Sequence, residues 1–350
     1  MNTPLIDEHR AAHAKLTEYS TCLLPEVFSD FESEWRVARE SVALFDTNWH
    51  AITVLTGPDR VRYLNAIVTN NIQALGEGQG TVALLLNPQG HILAELEIYA
   101  GKDKLTLLSH ASVRERTNAT LDKYIIMDDV EMEDGTERFG TIGIEGPRAP
   151  AVISQAAGIG IESLPDFAWC EVKINWVACR VIRRSHFGEP GVEIIAQREH
   201  LGSLWRSLHG AVYAASGSAI GMQALNSLRL EAGIPWFPLD FNDSVIPHEA
   251  GLENTHISFS KGCYTGQEIV ERVRSRGHVN RLRTRLSFST VREPIPGTKL
   301  RAGGTEVGYV TSTAFSPAAG TAVGMGYVRR EHATGGSTLE FDGGTATVIT

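Results

Sequence analysis

Cysteine and long apolar runs are both scarce in this sequence. The 350 residues include only four cysteines, and no two of them form a CxxC pair. A disulfide scaffold is therefore excluded, and a zinc site built from cysteine alone is not expected. The apolar run 82–86 has only the length of a strand. A membrane-spanning helix needs about 18 consecutive apolar residues, and no stretch of the sequence approaches that length. Residues 1–16 lack the apolar core of a signal peptide, so we expect a cytoplasmic protein that does not enter a membrane.

Positive charge is also in deficit. Lys and Arg together number 32 against 41 Asp and Glu, which gives a formal net charge of −9 at pH 7. An acidic chain does not coat nucleic acid or an anionic membrane through its overall field, so such partners would need a local basic patch. The content of hydrophobic residues, 42%, and of charged residues, 21%, is that of an ordinary folded protein of two or three domains.

Turn signals divide the chain into two α+β units and a β-rich end. The predicted boundaries are 1–50 for an N-terminal segment that is helix-rich up to residue 40, 51–140 and 141–284 for the α+β units, and 285–350 for a small β-barrel. In both α+β units a strand runs into Gly-Pro and then into a helix, at Gly57 and at Gly146. This repeated phrase indicates an internal duplication.

The most unusual segment is 260–268, Ser-Lys-Gly-Cys-Tyr-Thr-Gly-Gln-Glu. Lys261 precedes Cys263 by two residues, and a nearby cation stabilises a thiolate and so makes a cysteine reactive. A helix that begins near residue 265 would add the positive end of its dipole. A buried, inert cysteine in a tight turn explains the same residues equally well, so both interpretations stay open.

This segment also carries a resemblance to a known family. Lys-Gly-Cys-Tyr-Thr-Gly-Gln-Glu at 261–268 resembles the signature of the YgfZ family, folate-binding proteins that are related to the glycine-cleavage T-protein and similar to the mitochondrial Iba-type iron–sulfur assembly factor. Further stretches resemble the wider superfamily in the same order, namely 43–46 with Gly57, 64–71, 227–235, 247–252 and 307–312.

The resemblance implies an α+β fold, a GcvT-like three-lobed ring with two related α+β units and a small C-terminal β-barrel around a tetrahydrofolate site. The stretch 187–194 resembles a T-protein stretch whose last acid, here Glu193, binds the pterin; a carboxylate suits the N–H donors of that ring. Arg229 would bind the glutamate carboxylate of the folate. Tyr264 and Gln267 of the octapeptide are assigned to the same cofactor site. Taken alone, Glu193 is also an ordinary strand-end glutamate, and Arg229 also suits a structural ion pair.

One position departs from the T-protein pattern. Where the T-proteins have an Asp-Asp pair, one member of which acts in methylene transfer, this chain has Ala94 and Glu95. Glu95 supplies a carboxylate that reaches one methylene further, and a misplacement of ~1 Å can cost ~100-fold in rate. The sequence at these two positions therefore disfavours the aminomethyltransferase reaction.

The sequence favours a tetrahydrofolate-binding protein that supports iron–sulfur cluster assembly or repair, and through it iron–sulfur enzymes that modify tRNA. Cys263 would be its reactive centre and Lys261 the activating cation, with iron–sulfur enzymes or assembly proteins as partners. Two alternatives remain. One is a folate-dependent aminomethyltransferase or demethylase, with Glu95 in the folate site, and the other is a non-catalytic folate sensor or scaffold.

A basic strip follows the octapeptide. Residues 271–285 contain six arginines and one acid, a charge of +6 − 1 = +5. The alternation of arginines over 272–276 and 281–285 predicts strands with one charged face. That face would either pair with acids elsewhere or bind an anionic partner, such as a folate polyglutamate tail or RNA; single-stranded nucleic acid is disfavoured because no aromatic residue interleaves. His248, His256 and His278 lack the spacing of metal ligands, so no metal site is predicted.

Overall fold

The computed structural model describes residues 2–349. Its α-helices there are α1 (Ile6–Ala11), α2 (Phe31–Glu40), α3 (Arg60–Asn65), α4 (Arg114–Lys123), α5 (Ala149–Ala157), α6 (Arg198–Ala214), α7 (Met222–Glu231), α8 (Pro247–Ala250), α9 (Glu253–His256) and α10 (Gln267–Arg276). No helix within the described residues is long and apolar enough to cross a membrane.

The strands of the first half are β1 (Lys15–Tyr19), β2 (Cys22–Val27), β3 (Ala43–Asp46), β4 (His50–Thr56), β5 (Gly80–Leu86), β6 (Ile92–Ala100), β7 (Leu105–His110) and β8 (Glu131–Asp134). Those of the second half are β9 (Phe139–Glu145), β10 (Trp169–Ile174), β11 (Val177–Arg183), β12 (Gly191–Gln197) and β13 (Ser218–Ala219). The C-terminal strands are β14 (Arg281–Phe288), β15 (Lys299–Ala302), β16 (Thr305–Ser316), β17 (Thr321–Arg329), β18 (Thr338–Phe341) and β19 (Gly344–Ile349).

The two α+β units repeat one topology. The first sheet has the order β5-β6-β7-β4-β8, and the second has the order β10-β11-β12-β9-β3-β13. In each, three consecutive antiparallel strands form a meander, and the last strand of the meander pairs with the strand that precedes it in the chain. This repetition agrees with the predicted duplication.

The repeated Gly-Pro turns have a steric basis. Gly57 and Gly146 both have positive φ angles, +92° and +138°. A Cβ atom would lie 2.2 Å from the carbonyl oxygen of Asp129 at the first position and 2.6 Å from that of Ser41 at the second. Only glycine fits both turns, because an added side chain would meet backbone atoms that cannot move aside.

The two units exchange one strand each. β3 comes just before β4 in the chain but pairs with β9 of the second sheet, and β8 comes just before β9 but pairs with β4 of the first. The N-terminal segment therefore belongs partly to the second unit. This exchange fixes the two sheets against each other and so creates the interface where the candidate site lies.

The C-terminal strands close into the predicted barrel, in the order β14-β17-β16-β15-β18-β19. The barrel contacts α7, where Asn226 Nδ2 donates a 2.9 Å hydrogen bond to the carbonyl oxygen of Thr313 and Ser227 Oγ donates one of 2.7 Å to that of Phe315. These bonds hold the barrel against the helix that follows the second sheet.

Two secondary-structure predictions are wrong. The N-terminal 40 residues are not mainly helical, because a hairpin of β1 and β2 lies between α1 and α2. The arginines of 272–276 lie on α10 rather than on a strand, since Val270 and Val273 repeat at helical spacing and Val270 is buried in the core of the first unit. The arginines of 281–285 do lie on a strand, β14.

Candidate functional site

The interface between the two sheets has a polar end and an apolar middle. Alternate residues of β4, β6 and β7 face alternate residues of β11 and β12 across it. The middle is a buried apolar cluster that includes Ile52, Leu108, Ile182 and Ile195. At one end lies a cavity, which we call the junction cavity, whose charged and histidine side chains are His50, Glu95, Glu97, His110, Arg184 and His186. Its aromatic walls are Tyr19, Trp49, Trp236 and Phe237.

Glu97 is a buried carboxylate with strong partners. Arg184 Nε donates a 2.7 Å hydrogen bond to one oxygen, and the hydroxyl of Tyr99 donates one of 2.5 Å to the other. Burial alone would raise the pKa of Glu97, but the guanidinium of Arg184, the nearby His50 and the hydroxyl of Tyr99 together outweigh it and lower the pKa. Glu97 is therefore ionised at neutral pH and anchors Arg184 in the cavity.

Glu193, the predicted pterin ligand, is fully buried behind the cavity on β12. Thr47 Oγ1 donates a 2.6 Å hydrogen bond to one carboxylate oxygen, and Nε2 of His186 lies 2.9 Å from the other. Burial opposes ionisation, but His186, through its hydrogen bond and charge, and the nearby His50 together outweigh it, so the pKa of Glu193 is lowered. His186 connects this carboxylate to the cavity, and direct contact of Glu193 with a pterin stays a prediction.

Glu95 lies on β6 with its carboxylate open to the cavity and 24% exposed. Its Oε1 atom lies within hydrogen-bond distance, 2.9 Å, of Nε2 of His256. The other ring nitrogen of His256 lies 2.7 Å from the hydroxyl of Thr255. Thr69 Oγ1 donates a 2.6 Å hydrogen bond to the carbonyl oxygen of His256. Glu95 is thus a carboxylate held in a fixed orientation by a histidine.

His110 brings a neutral donor to the cavity. Its Nδ1 accepts a hydrogen bond from the backbone N–H of Ser112, so the proton of the neutral ring sits on Nε2. Nε2 is buried and has no hydrogen-bond partner within residues 2–349. Burial, with a smaller contribution from His50, lowers the pKa of His110 to about 3. The ring therefore stays uncharged at neutral pH and offers its Nε2–H to whatever enters the cavity.

The pKa of His110 predicts acid sensitivity of the fold. The folded state holds the ring neutral down to about pH 3, whereas the unfolded state protonates it near the ordinary value of 6.5. The unfolded state thus binds more protons between these values, and the free energy of unfolding should fall by about 1.4 kcal/mol per pH unit as the pH drops through this window. His110→Asn keeps an acceptor for Ser112 but has no titrating ring. We expect its free energy of unfolding, measured by urea denaturation at each pH, to fall less steeply with pH, by that amount per pH unit. Equal slopes for the two proteins would contradict the assignment.

Arg229, the predicted folate-carboxylate ligand, is fully buried in a structural ion pair. Its guanidinium pairs with Asp240, is shielded from solvent, and lies 4.9 Å from the centre of the Trp236 ring. Its Nε donates a 2.9 Å hydrogen bond to Asn226, whereas Nη2 is buried without a partner among the described residues. The structure thus favours the ion-pair interpretation, with Asp240 as the partner, and the folate role stays a prediction.

The octapeptide lies apart from the junction cavity and packs on the first unit. Lys261 Nζ donates hydrogen bonds to the carbonyl oxygens of Asn65, of Val68 at 2.5 Å and of Asn70 at 3.0 Å. An ammonium has three protons, so none is left for Cys263, which is exposed. Burial lowers the pKa of Lys261 to about 8. Lys261 therefore holds segment 65–70 in place. It donates no hydrogen bond to the thiol of Cys263, so its predicted activation of that thiol gains no support from this geometry.

Two further octapeptide residues were assigned to the cofactor site. Tyr264 is buried in the core of the first unit, with a hydroxyl that has no partner within residues 2–349. Gln267 is half-buried and begins α10. Neither lines the junction cavity, whereas Glu95 does.

Several side chains of the cavity were missed from the sequence, namely His50, Glu97, His110, Arg184 and His186. One signal was available: Glu95 and Glu97 stand two residues apart in an otherwise apolar strand, and this spacing places both on one face. His256 had been considered only as a metal ligand. Within residues 2–349 no group of three or more His, Cys, Asp or Glu side chains is arranged to hold a metal ion.

Comparison with known proteins gives the family. The model described as the GCVT N-terminal domain matches residues 5–261, and the glycine cleavage T-protein C-terminal barrel domain matches residues 283–348. The chain belongs to the glycine cleavage T-protein family. Neither description names the YgfZ branch, so that narrower assignment rests on the octapeptide alone.

Curated members of the T-protein family match along most of the chain. The chain is 28% identical over 331 residues to an aminomethyltransferase of Rubrobacter xylanophilus, covering 94% of this chain and 87% of that protein. It is 28% identical over 348 residues to an aminomethyltransferase of Rippkaea orientalis, covering 98% and 93%. The match to the crystal structure of the glycine cleavage system aminomethyltransferase T from Bartonella henselae has a TM-score of 0.90 at 24% identity, covering 100% of this chain and 97% of that one. The predicted GcvT-like fold is thereby confirmed, and tetrahydrofolate is the cofactor consistent with it.

Proposed function

We propose that this protein is an enzyme that transfers a one-carbon unit to or from tetrahydrofolate, of the aminomethyltransferase or demethylase type. The observation that carries the proposal is Glu95, whose carboxylate opens on the junction cavity and is oriented by His256. In the sequence alone, the extra methylene of Glu95 relative to aspartate counts against catalysis. The hydrogen bond to His256 compensates for this extra length, because it fixes where the carboxylate of Glu95 lies. The relatives named aminomethyltransferase add independent support.

The side chains around the cavity suit a folate ring system. Trp49 and Trp236 supply flat aromatic walls, with ring centroids 5.7 Å apart. The buried Nε2–H of His110 lacks an acceptor, and Glu95 offers one to a ring N–H. The cavity encloses about 40 Å³, room for only a few water molecules, so a bound ring must displace side chains at its mouth. Tyr19 is half-buried there and is the side chain we expect to move.

Side chains of the junction cavity would bind the transferred proton and stabilise the charge that develops during one-carbon transfer. Tetrahydrofolate, when bound, supplies the amine nitrogen that carries the one-carbon unit. Glu95 holds or accepts a proton at its carboxylate, and His256 Nε2–H stabilises the ionised form through the 2.9 Å hydrogen bond. The indole and phenol rings of the walls exclude water, which strengthens these electrostatic interactions.

Binding of tetrahydrofolate tests the cofactor assignment. Since two of the tryptophans line the cavity, a bound ring should quench their emission in a saturable titration, and calorimetry should give the same dissociation constant. Trp236→Phe should reduce the quenching, whereas Trp176→Phe is a matched control, because Trp176 is 90% exposed on the β10–β11 hairpin. Absence of saturable binding at millimolar ligand would overturn the assignment. Mass spectrometry of the folate after incubation with candidate amine donors tests turnover.

Support of iron–sulfur cluster assembly is a second candidate. It is supported by the octapeptide and by the exposure of Cys263, the only one of the four cysteines that is exposed within the described residues. Full rescue of iron–sulfur enzyme activity by Cys263→Ala in a deletion strain would remove this cysteine from such a role. The same variant should leave folate-dependent transfer unchanged, because Cys263 does not line the junction cavity.

A further inference from the structure

A second cavity lies at the opposite end of the same sheet interface. We call it the distal cavity; it encloses about 300 Å³, within the range of small-ligand sites. Ile52, Val54, Phe139 and Ile195 form much of its apolar lining. The apolar cluster in the middle of the interface separates it from the junction cavity. It is therefore a separate space and not an extension of the folate site.

The duplication makes the distal cavity the counterpart of the junction cavity. On the first sheet Leu108 of β7 lies opposite Glu97 of β6, and on the second sheet Ile195 of β12 lies opposite Arg180 of β11. β7 and β12 are the third strands of the two equivalent meanders. Arg180 thus occupies in the distal cavity the position that Glu97 occupies in the junction cavity. The two equivalent positions therefore carry opposite charges, a carboxylate in the junction cavity and a guanidinium in the distal cavity.

The rim of the distal cavity is positive in an acidic protein. Lys104, Arg138 and Arg180 line it against two acids, Glu171 on the rim and Glu133, which pairs with Arg138 at 2.8 Å, a local charge of +3 − 2 = +1. The ammonium of Lys104 has no ion pair or hydrogen bond within residues 2–349. The chain as a whole carries −9, so this local excess of positive charge favours an anionic occupant.

Arg180 is prepared to receive that anion. Its side chain is 13% exposed, stacks 4.5 Å above the ring of Trp169, and donates a 2.8 Å hydrogen bond from Nη1 to the hydroxyl of Thr106. Its remaining fork, Nε and Nη2, reaches only Glu171, at 3.4 Å for both atoms. Glu171 is 69% exposed, so this contact is long and readily replaced.

We propose that the distal cavity binds a small organic anion with an apolar body, an aromatic or branched carboxylate or sulfonate. The acid group lies on the free fork of Arg180 with Lys104 beside it, since a guanidinium fork matches a planar acid group. The body packs on Ile52, Phe139 and Ile195. This site is independent of the proposed one-carbon transfer.

A fluorescent anion of this chemistry tests the proposal. 8-Anilinonaphthalene-1-sulfonate should bind the full chain at one saturable site, and its uncharged analogue N-phenyl-1-naphthylamine should bind at least about tenfold more weakly. Lys104→Glu should weaken the sulfonate by at least about tenfold, whereas Lys102→Glu is a matched control. Lys102 carries the same charge two residues away but is exposed and does not line the cavity. Ala178→Phe should abolish saturable binding, because Ala178 lines the cavity and is itself exposed, so a larger side chain fills the space without disturbing the core.

Three results would overturn the proposal: no saturable binding to the unmodified chain, equal affinity of the charged and uncharged probes, or unchanged affinity in Ala178→Phe. Circular dichroism and the urea midpoint of each variant separate loss of the site from loss of the fold. Tetrahydrofolate binding measured on the same variants should stay unchanged, which keeps this test distinct from that of the proposed function.

Discussion

Replacing Glu95 by glutamine is expected to lower kcat for folate-dependent one-carbon transfer by ~100- to 10,000-fold, the range lost when a general acid or base is removed. Glutamine has nearly the same shape and can still accept a hydrogen bond from His256 through its carbonyl oxygen. It cannot carry a transferable proton or a negative charge. The loss should therefore appear in kcat, while the dissociation constant for tetrahydrofolate changes by a few-fold at most.

Three further variants separate catalysis from structure. His256→Gln should lower kcat less than Glu95→Gln and should shift the acid limb of the pH–rate profile, because His256 acts through the carboxylate that it orients. Glu95→Asp should retain part of the activity, since it restores the acid that the T-proteins have but loses reach toward His256. Glu306→Gln removes an exposed barrel carboxylate, 55% exposed and paired with Lys299, and should behave as the unmodified enzyme. Wild-type kcat in Glu95→Gln would contradict the proposed role.

The sequence could predict the architecture because local signals carry it. Gly57 and Gly146 mark two turns that no other residue fits, and the Gly-rich turns after residue 285 define the barrel. The arginines of 272–276 led to a wrong prediction of a strand, because their spacing of two is visible in the sequence whereas the burial of Val270 that selects a helix is not. Local pattern alone cannot decide between two periods when the buried side is unknown.

The site could be predicted only in part, because its residues meet across two sheets. Glu95 was found through the resemblance, but its partner His256 is 161 positions away and is brought near by α9 packing against the first unit. Arg184 and Glu97 pair across the sheet interface, which is held together by the exchange of β3 and β8 between the sheets. Such pairings depend on topology, and no spacing in the sequence encodes them.

Replacing Arg229 by methionine is expected to lower the free energy of unfolding by about 3–5 kcal/mol, the cost of leaving a buried charge without its partner. Asp240 also accepts hydrogen bonds from Thr311 at 2.7 Å, from Ser312 at 2.5 Å and from the backbone N–H of Trp236 at 3.0 Å. Burial opposes its ionisation, but Arg229 and these hydrogen bonds together outweigh burial, so the pKa of Asp240 is lowered. In the variant only these hydrogen bonds oppose the effect of burial, so Asp240 is either left charged without its partner or must take up a proton, and both outcomes cost stability in a network that joins α7 to the barrel.

The double variant Arg229→Met with Asp240→Asn shows whether the ion pair alone explains Arg229. Once the aspartate is neutral, loss of the guanidinium leaves no buried charge, so the double variant should be more stable than Arg229→Met alone. Urea denaturation followed by circular dichroism measures both. If Arg229 instead binds the folate carboxylate, Arg229→Met would keep most of its stability and lose folate affinity, and the double variant would not recover that affinity. These two patterns exclude each other, because a cation that neutralises a fully buried aspartate cannot be removed without a cost to the fold.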